Sequence, residues 1–341
     1  MHSSVIKVTA FARLHLGFLD LEGGFGRRFG SLGVAVANPV TRLRMSQSTA
    51  LVVEGQEQER AQRYLLALAG AFSRPAHYRL IVEEAIPAHA GLGSGTQLAL
   101  AIGAAFRMLE GLEISPVKLG ETLGRGMRSG IGIGAFTHGG FVVDGGKAKG
   151  GGAPPIVAAL PVPESWRVIL IFDRAAQGVY GQNELEAFQD LPPFPAEQAA
   201  HLCRLTLMQA LPALAEGDLQ RFGNAVDVIQ QTMGGHFAKA QGGNMYASSR
   251  VAAALDMLKA HGVTGIGQSS WGPTGFAFVK GDEEGHMLIE ALQKQKLDEG
   301  LGLQLTKPHN KGAEIAVIRE HTDGGNSRTD ENSAHGGNTH G

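Results

Sequence analysis

Apolar and polar positions alternate with a period of two over residues 5–11, which predicts a strand. Residues 32–37 and 40–45 predict two further short strands, and 78–84 alternates again. Between them, Tyr64, Leu65, Leu68 and Phe72 recur at helical spacing, which predicts a helix over 57–72. An alanine-rich apolar run predicts a helix from Thr96 to about Leu109, and a second helix is expected over 116–127. Residues 141–144 predict a strand. The second half opens on a strongly apolar strand, 166–172. Helices over 197–215, 218–232 and 246–261 follow, then a strand at 275–280, a helix at 283–295 and a last strand at 313–319. The order is mixed α+β in two halves, with no internal repeat. A loose connection at 145–155 divides them, giving expected domains at 1–160 and 161–320. Residues 321–341 are rich in Gly, Asn, His and Ser and nearly devoid of apolar side chains. They predict a disordered tail.

A chain of 341 residues with 43% hydrophobic side chains can bury a large core. Lys and Arg number 30 against 32 Asp and Glu, a balance that gives no support to a nucleic-acid or membrane-surface partner. Cys203 is the single cysteine, so an internal disulfide and a cysteine zinc site are excluded. It is expected as a small buried side chain in a helix. No apolar run reaches the roughly 18 residues of a membrane span. Lys7 and Arg13 interrupt the apolar N-terminus, which makes it a poor signal peptide. A soluble, cytoplasmic protein is expected.

Glycine changes the picture. The chain has 49, about twice the usual share of roughly 7%, and they cluster in loops. Pro87-Ala88-His89-Ala90-Gly91-Leu92-Gly93-Ser94-Gly95-Thr96-Gln97 joins a predicted strand to a predicted helix. Glycines let successive N–H groups point one way, and a helix N-terminus adds partial positive charge, so the segment suits a phosphate. Ser94 and Thr96 either donate to the anion or cap the helix. No Gly-Lys-Ser/Thr follows, so this is not a Walker loop. The third glycine of a dinucleotide fingerprint is missing as well. Two more glycine-rich loops are expected at 23–33 and 129–134. Arg13, Arg27, Arg28, Arg125 and Arg128 flank the three, and guanidinium groups grip phosphate oxygens in pairs.

The Gly-Leu-Gly-Ser-Gly segment resembles the phosphate loop of the GHMP kinase superfamily. Gln268-Ser269-Ser270-Trp271-Gly272-Pro273-Thr274 is similar to that superfamily's C-terminal glycine-rich motif. The resemblance implies a ribosomal-protein-S5-like N-terminal domain and a ferredoxin-like C-terminal domain. It sharpens over residues 12–35 (Ala12-Arg13-Leu14-His15-Leu16-Gly17, then Gly24-Phe25-Gly26-Arg27 and Gly30-Ser31-Leu32-Gly33), over GLGSGTQLALA at 91–101 and over SGIGIGAFTHGGFVVDGG at 129–146. Together these resemble the β-ribofuranosylaminobenzene 5′-phosphate synthase family across most of residues 5–320. Kinases of the superfamily usually carry a lysine near the place of Arg13, a departure that weighs against phosphorylation here.

That resemblance implies a decarboxylating transfer. Phosphoribosyl pyrophosphate would join 4-aminobenzoate, or its 4-hydroxy analogue, with loss of CO2 and pyrophosphate. The aromatic ring would act as its own electron sink, so no organic cofactor is expected. Magnesium would accompany the pyrophosphate, although no metal-ligand spacing is present. A homodimer is expected. Candidate catalytic residues are Arg13, His15, Asp20 and Asp144, with His15 or His89 assisting pyrophosphate departure. Asp144 serves equally as the cap of the turn at Gly145-Gly146, and His15 equally as a bonded core residue. Gly26, Arg27, Arg28, Gly91 to Gln97, Ser129, Gly130 and Gly132 are the candidate phosphate-binding set. Ser269 and Ser270 would meet the carboxylate, and Trp271 would stack on the ring or pack in its loop. An ATP-dependent small-molecule kinase and a non-catalytic ligand sensor on the same scaffold stand as alternatives.

Overall fold

The computed structural model describes residues 3–176 and 191–320; the tail at 321–341 lies outside them. The first sheet is built on a long antiparallel pair, β1 (Ser3–Asp20) and β2 (Arg27–Gln47). The two short strands expected at 32–37 and 40–45 are one. Phe11 pairs with Val40 and the next residue, Ala12, with Val36. The extra residues at 37–39 bulge out, so the strand passes through Asn38-Pro39 instead of ending there. β3 (Val52–Gly55) and β4 (Tyr78–Glu84) extend the sheet beyond the second half of β2. β5 (Phe141–Asp144), β6 (Lys147–Ala148) and β7 (Ile156–Leu160) complete it beside the first half. Helices α1 (Gln58–Ala71) and α2 (Ser94–Leu109) cover one face, with Leu65, Leu68, Leu98 and Ile102 against Val8, Leu43 and Leu80.

Two short helices follow, α3 (Pro116–Thr122) and α4 (Ile131–Thr137). α3 ends five residues earlier than expected, because Gly124 and Gly126 take left-handed φ. α4 stands where a third glycine loop was expected. Its glycines serve close packing: a Cβ on Gly132 would lie 2.8 Å from Thr96 Cγ2, and one on Gly134 2.8 Å from Ile156.

The second sheet comprises β8 (Trp166–Asp173), β9 (Ile266–Gln268), β10 (Gly275–Lys280) and β11 (Leu301–Thr306), in the antiparallel order β11-β8-β10-β9. That order is ferredoxin-like. β11 was not anticipated, although Leu301, Leu303 and Leu305 alternate with Gly302, Gln304 and Thr306. The helices are α5 (Ala196–Leu205), α6 (Leu211–Glu216), α7 (Leu219–Phe237), α8 (Ser249–Ala260) and α9 (Gly281–Lys294). The single helix expected at 197–215 is broken by a π turn at Thr206–Ala210. Pro212 has no N–H to offer the carbonyl four residues back, and the wider turn absorbs the gap. Cys203 does lie in a helix, α5, but it is exposed rather than buried.

Alternation along β8 assigns its two faces. Ile169 and Ile171 pack with Val251, Leu255 and Leu288 beneath α8 and α9. Val168 and Leu170 pack with Phe222, Val226 and Ile229 of α7. The same α7 cluster includes Leu14, Leu16, Phe18, Leu32 and Val34 of the first sheet. α7 is therefore the layer shared by both halves. The last strand, β12 (Glu314–Glu320), leaves the second sheet and pairs with Ser3 to Thr9 of β1. Beyond Thr9 that edge of β1 pairs with no strand among the described residues, which leaves Arg13 to His15 to bond with loops.

Candidate active site

Two loops converge on β1 at Arg13 to His15. The Arg13 N–H donates to Leu92 O at 3.1 Å, and the Ser270 N–H donates to His15 O at 3.2 Å. Ser269 closes the triangle: its Oγ accepts from His15 N at 3.0 Å and donates to Gly91 O at 2.8 Å. Its hydroxyl is thus used within the protein, which makes it a clamp rather than the carboxylate donor suggested by sequence. Gly91 is required here twice over. Its φ is +78°, and a Cβ would run into the Ser269 carbonyl.

The clamp positions the N-terminus of α2. Gly93 is its N-cap at φ 80° and supplies no side-chain cap. The N–H groups of the first turn are therefore left to the loop and to whatever binds there. Two guanidinium groups overlie this turn. Arg13 donates to Gly91 O and lies against Gly93, while Arg125 lies against Gly95 and donates to the Tyr64 hydroxyl. The Arg125 guanidinium also sits over the Tyr64 ring, 5.4 Å from its centre. Arg128 is close enough for its charge to act on His15. A helix N-terminus with partial positive charge and two arginines make a cradle suited to an anion. Leu92 and Gln97 of the same segment are buried; Gln97 donates to Gly132 O at 2.8 Å and so ties α2 to α4.

A second recess lies next to the cradle. His15, Phe18, Met233, Phe237, Met245, Ser270 and Trp271 line it, with Gln230, Gln241 and Gln268 along one wall. It encloses about 30 Å³, room for a water but less than the ~150 Å³ of a known benzene-binding cavity. An aromatic ring would enter by moving the two flexible methionines. Trp271 is buried, its ring 4.4 Å from that of Phe237. His15 is 3% exposed. Burial first, then the charges of Arg13 and Arg128, lower its pKa to about 3. Both effects favour the neutral imidazole. His89 is on the exposed side of the phosphate loop at φ 59°, away from the recess lining.

The remaining expected residues lie in two supporting clusters. Asp144 is fully buried and accepts from Gly130 N at 2.8 Å, Gly146 N at 2.9 Å and Ser129 Oγ at 3.2 Å. Burial pushes its carboxyl up, and these donors pull it back down. Asp144 thus holds the start of α4 and the Gly145-Gly146 turn. Asp20 accepts from the N–H groups of Glu22, Gly23 and Gly24 at 2.9, 2.8 and 3.2 Å, shaping the hairpin tip that contains Gly26. Arg27 bonds the carbonyls of Gly145 and Gly146, and Arg28 that of Leu21. Both clusters spend their carboxylates on backbone, and among the described residues no three His, Cys, Asp or Glu side chains gather as a metal site. No helix among the described residues is long and apolar enough to cross a membrane. Met233 and Phe237 on α7 and Met245 after it had no mark in the sequence, whereas Gln268, Ser270 and Trp271 stood in a recognised motif.

This arrangement has close counterparts. The chain matches the GHMP kinases N terminal domain over residues 59–140 and the GHMP kinases C terminal domain over 210–298. Solved structures of the same fold include homoserine kinase from Cytophaga hutchinsonii (TM-score 0.63, 18% identity, covering 91% of this chain and 97% of that one). Another is mevalonate diphosphate decarboxylase from Staphylococcus aureus (TM-score 0.64, 16% identity, 92% and 98%). The class is therefore a two-domain α+β protein of GHMP kinase type. Among curated proteins, the β-ribofuranosylphenol 5′-phosphate synthase of Archaeoglobus fulgidus is 33% identical over 329 residues, 92% of this chain and all of that protein. The counterpart from Methanocaldococcus jannaschii is 31% identical over 295 residues, 78% and 87%. Within the GHMP class, the chain belongs to the β-ribofuranosylphenol 5′-phosphate synthase family.

Proposed function

We propose that the protein is a decarboxylating phosphoribosyltransferase that joins phosphoribosyl pyrophosphate to a para-substituted benzoate. The phenol in its relatives' name favours 4-hydroxybenzoate over 4-aminobenzoate as the acceptor. The observation that carries this reading is adjacency. An arginine-flanked anion cradle and an aromatic-lined recess meet across two residues of one strand, Arg13 and His15.

The donor's phosphates occupy the cradle at the α2 N-terminus, held by backbone N–H groups with Arg13 and Arg125. The C1′–O bond to pyrophosphate breaks, and its electron pair leaves on the pyrophosphate. The arginine charges and the helix terminus stabilise that developing charge. The acceptor ring, pushed by its para oxygen, attacks C1′ through the carbon bearing the carboxylate and forms the C–C bond. The bond to the carboxylate then breaks. Its pair returns to the ring, CO2 leaves and aromaticity is restored. Atoms and electrons balance without ATP or an organic cofactor. The protein's part is to align two substrates in neighbouring sites and to exclude water from the cationic sugar.

Incubation with phosphoribosyl pyrophosphate and 4-hydroxybenzoate, followed by mass spectrometry and NMR, tests the reading. A C-riboside 5′-phosphate of phenol with equimolar pyrophosphate is expected. An O-linked ester or ether retaining the carboxyl group would overturn it.

A further inference from the structure

The three glutamines of the recess are satisfied within the protein. Gln230 donates to Leu16 O at 2.7 Å and accepts from Gln268 N at 2.8 Å. Gln268 accepts from Ala247 N at 2.6 Å and donates to Gln241 Oε1 at 2.9 Å and Ser270 O at 3.1 Å. Gln241 in turn donates to Met245 O at 3.1 Å. These three amides bond to one another and to backbone. His15 is different. It is buried, it lines the same recess, and neither ring nitrogen has a hydrogen-bond partner. Its ring contact is with Phe18, at 4.6 Å between centres, through the face rather than a nitrogen. A neutral imidazole offers one donor and one acceptor, and buried polar groups in native proteins are normally paired. An imidazole held unpaired at the floor of a recess is set for a ligand that supplies the partner.

We propose that His15 reads the para substituent of the aromatic acceptor, accepting a hydrogen bond from its hydroxyl group and so favouring the 4-hydroxy over the 4-amino acid. This rests on the functional reading above. The para oxygen lies at the far end of the ring from the carbon that must reach C1′, so a contact there leaves the reacting carbon free. The hydroxyl has one proton to donate, and the imidazole takes it. An amino group would bring a second N–H to a wall whose amide oxygens each already accept one hydrogen bond. The bond also strengthens as the reaction proceeds: attack by the ring draws positive charge onto the para oxygen, which becomes a better donor. An interaction that tightens in the transition state raises kcat more than it lowers KM.

The test compares kcat and KM for 4-hydroxybenzoate and 4-aminobenzoate in the wild type, His15→Phe and His15→Asn, with phosphoribosyl pyrophosphate affinity measured by calorimetry. The wild type should prefer the hydroxy acid by about tenfold or more, as sites built around a substrate hydroxyl do. His15→Phe should bring that ratio toward one, chiefly through kcat, while donor affinity stays within about twofold of wild type. His15→Asn, which keeps an acceptor, should restore part of the preference. An unchanged ratio in His15→Phe, or an equal loss for both acids together with lost donor affinity, would overturn the assignment of His15 and leave the transferase reading standing. No turnover of either acid by the wild type would overturn both.

Discussion

Gly91 brings the site's mechanics down to a single residue. Its φ of +78° disfavours any side chain, and its Cβ position is taken by the Ser269 carbonyl, with Gly272 Cα 3.0 Å away. Gly91→Ala should cost about 1–3 kcal/mol of stability and separate the phosphate loop from the Ser269 loop, both visible by denaturant titration and donor calorimetry. Arg125 acts by charge instead. Arg125→Gln should leave the fold intact and weaken phosphoribosyl pyrophosphate binding about 10–100-fold, the worth of a charge-assisted contact. Equal affinity would remove Arg125 from the cradle. His15 adds a pH signature. Its folded pKa of about 3 lies below the value of 6.5 for a free histidine. Between those values the unfolded chain binds more protons, so this contribution is fully kept above pH 6.5 and lost as pH falls toward 3. The loss is up to ~1.4 kcal/mol per pH unit. The stability of the wild type relative to His15→Phe should therefore decline from pH 7 to pH 4. A pH-independent difference would show that His15 is not held neutral by burial.

At the scale of elements, Asp144 joins β5 to the start of α4. In Asp144→Asn an NH2 group would face either Gly130 N or Gly146 N, donor against donor. A loss of about 1–3 kcal/mol is expected, with faster hydrogen exchange at those two amides; unchanged exchange would contradict the role. Here the limits of sequence reading are physical. The turn into α2 was legible because Gly-Leu-Gly-Ser-Gly before an alanine-rich run marks a loop-to-helix junction. SGIGIG was read as a loop for the same reason, yet it forms α4, since glycine also permits close helix packing against Thr96 and Ile156. Asn38-Pro39 signalled a break that a bulge in β2 absorbs. Asp144 was legible as a residue of interest, while its partners became clear only once the chain was folded. The recess was legible only in part, through His15, Ser270 and Trp271. Phe18, Met233, Phe237 and Met245 look like ordinary apolar side chains, and only the contact between α7 and β1 turns them into a lining.

The whole molecule is unified by α7, which packs between the two sheets. Phe222 is fully buried there, its ring 5.2 Å from Trp166, 5.3 Å from Phe278 and 5.7 Å from Phe141. Because these partners come from both sheets, Phe222→Ala should lower stability by about 3–5 kcal/mol and shift one common thermal transition. Two separated transitions in calorimetry would mean that the halves unfold independently. β12 ties the chain's far end back to β1, which adds to that coupling. The same architecture places the anion cradle, on the first sheet's helices, against the recess, on the α7 side, and the proposed chemistry depends on that join. The most direct measurement of it is the release of labelled CO2 from carboxyl-labelled 4-hydroxybenzoate with phosphoribosyl pyrophosphate and without ATP. Release that requires both substrates and matches pyrophosphate formed one for one is the predicted result. Retention of the label, with ATP consumed on a small alcohol instead, would contradict it.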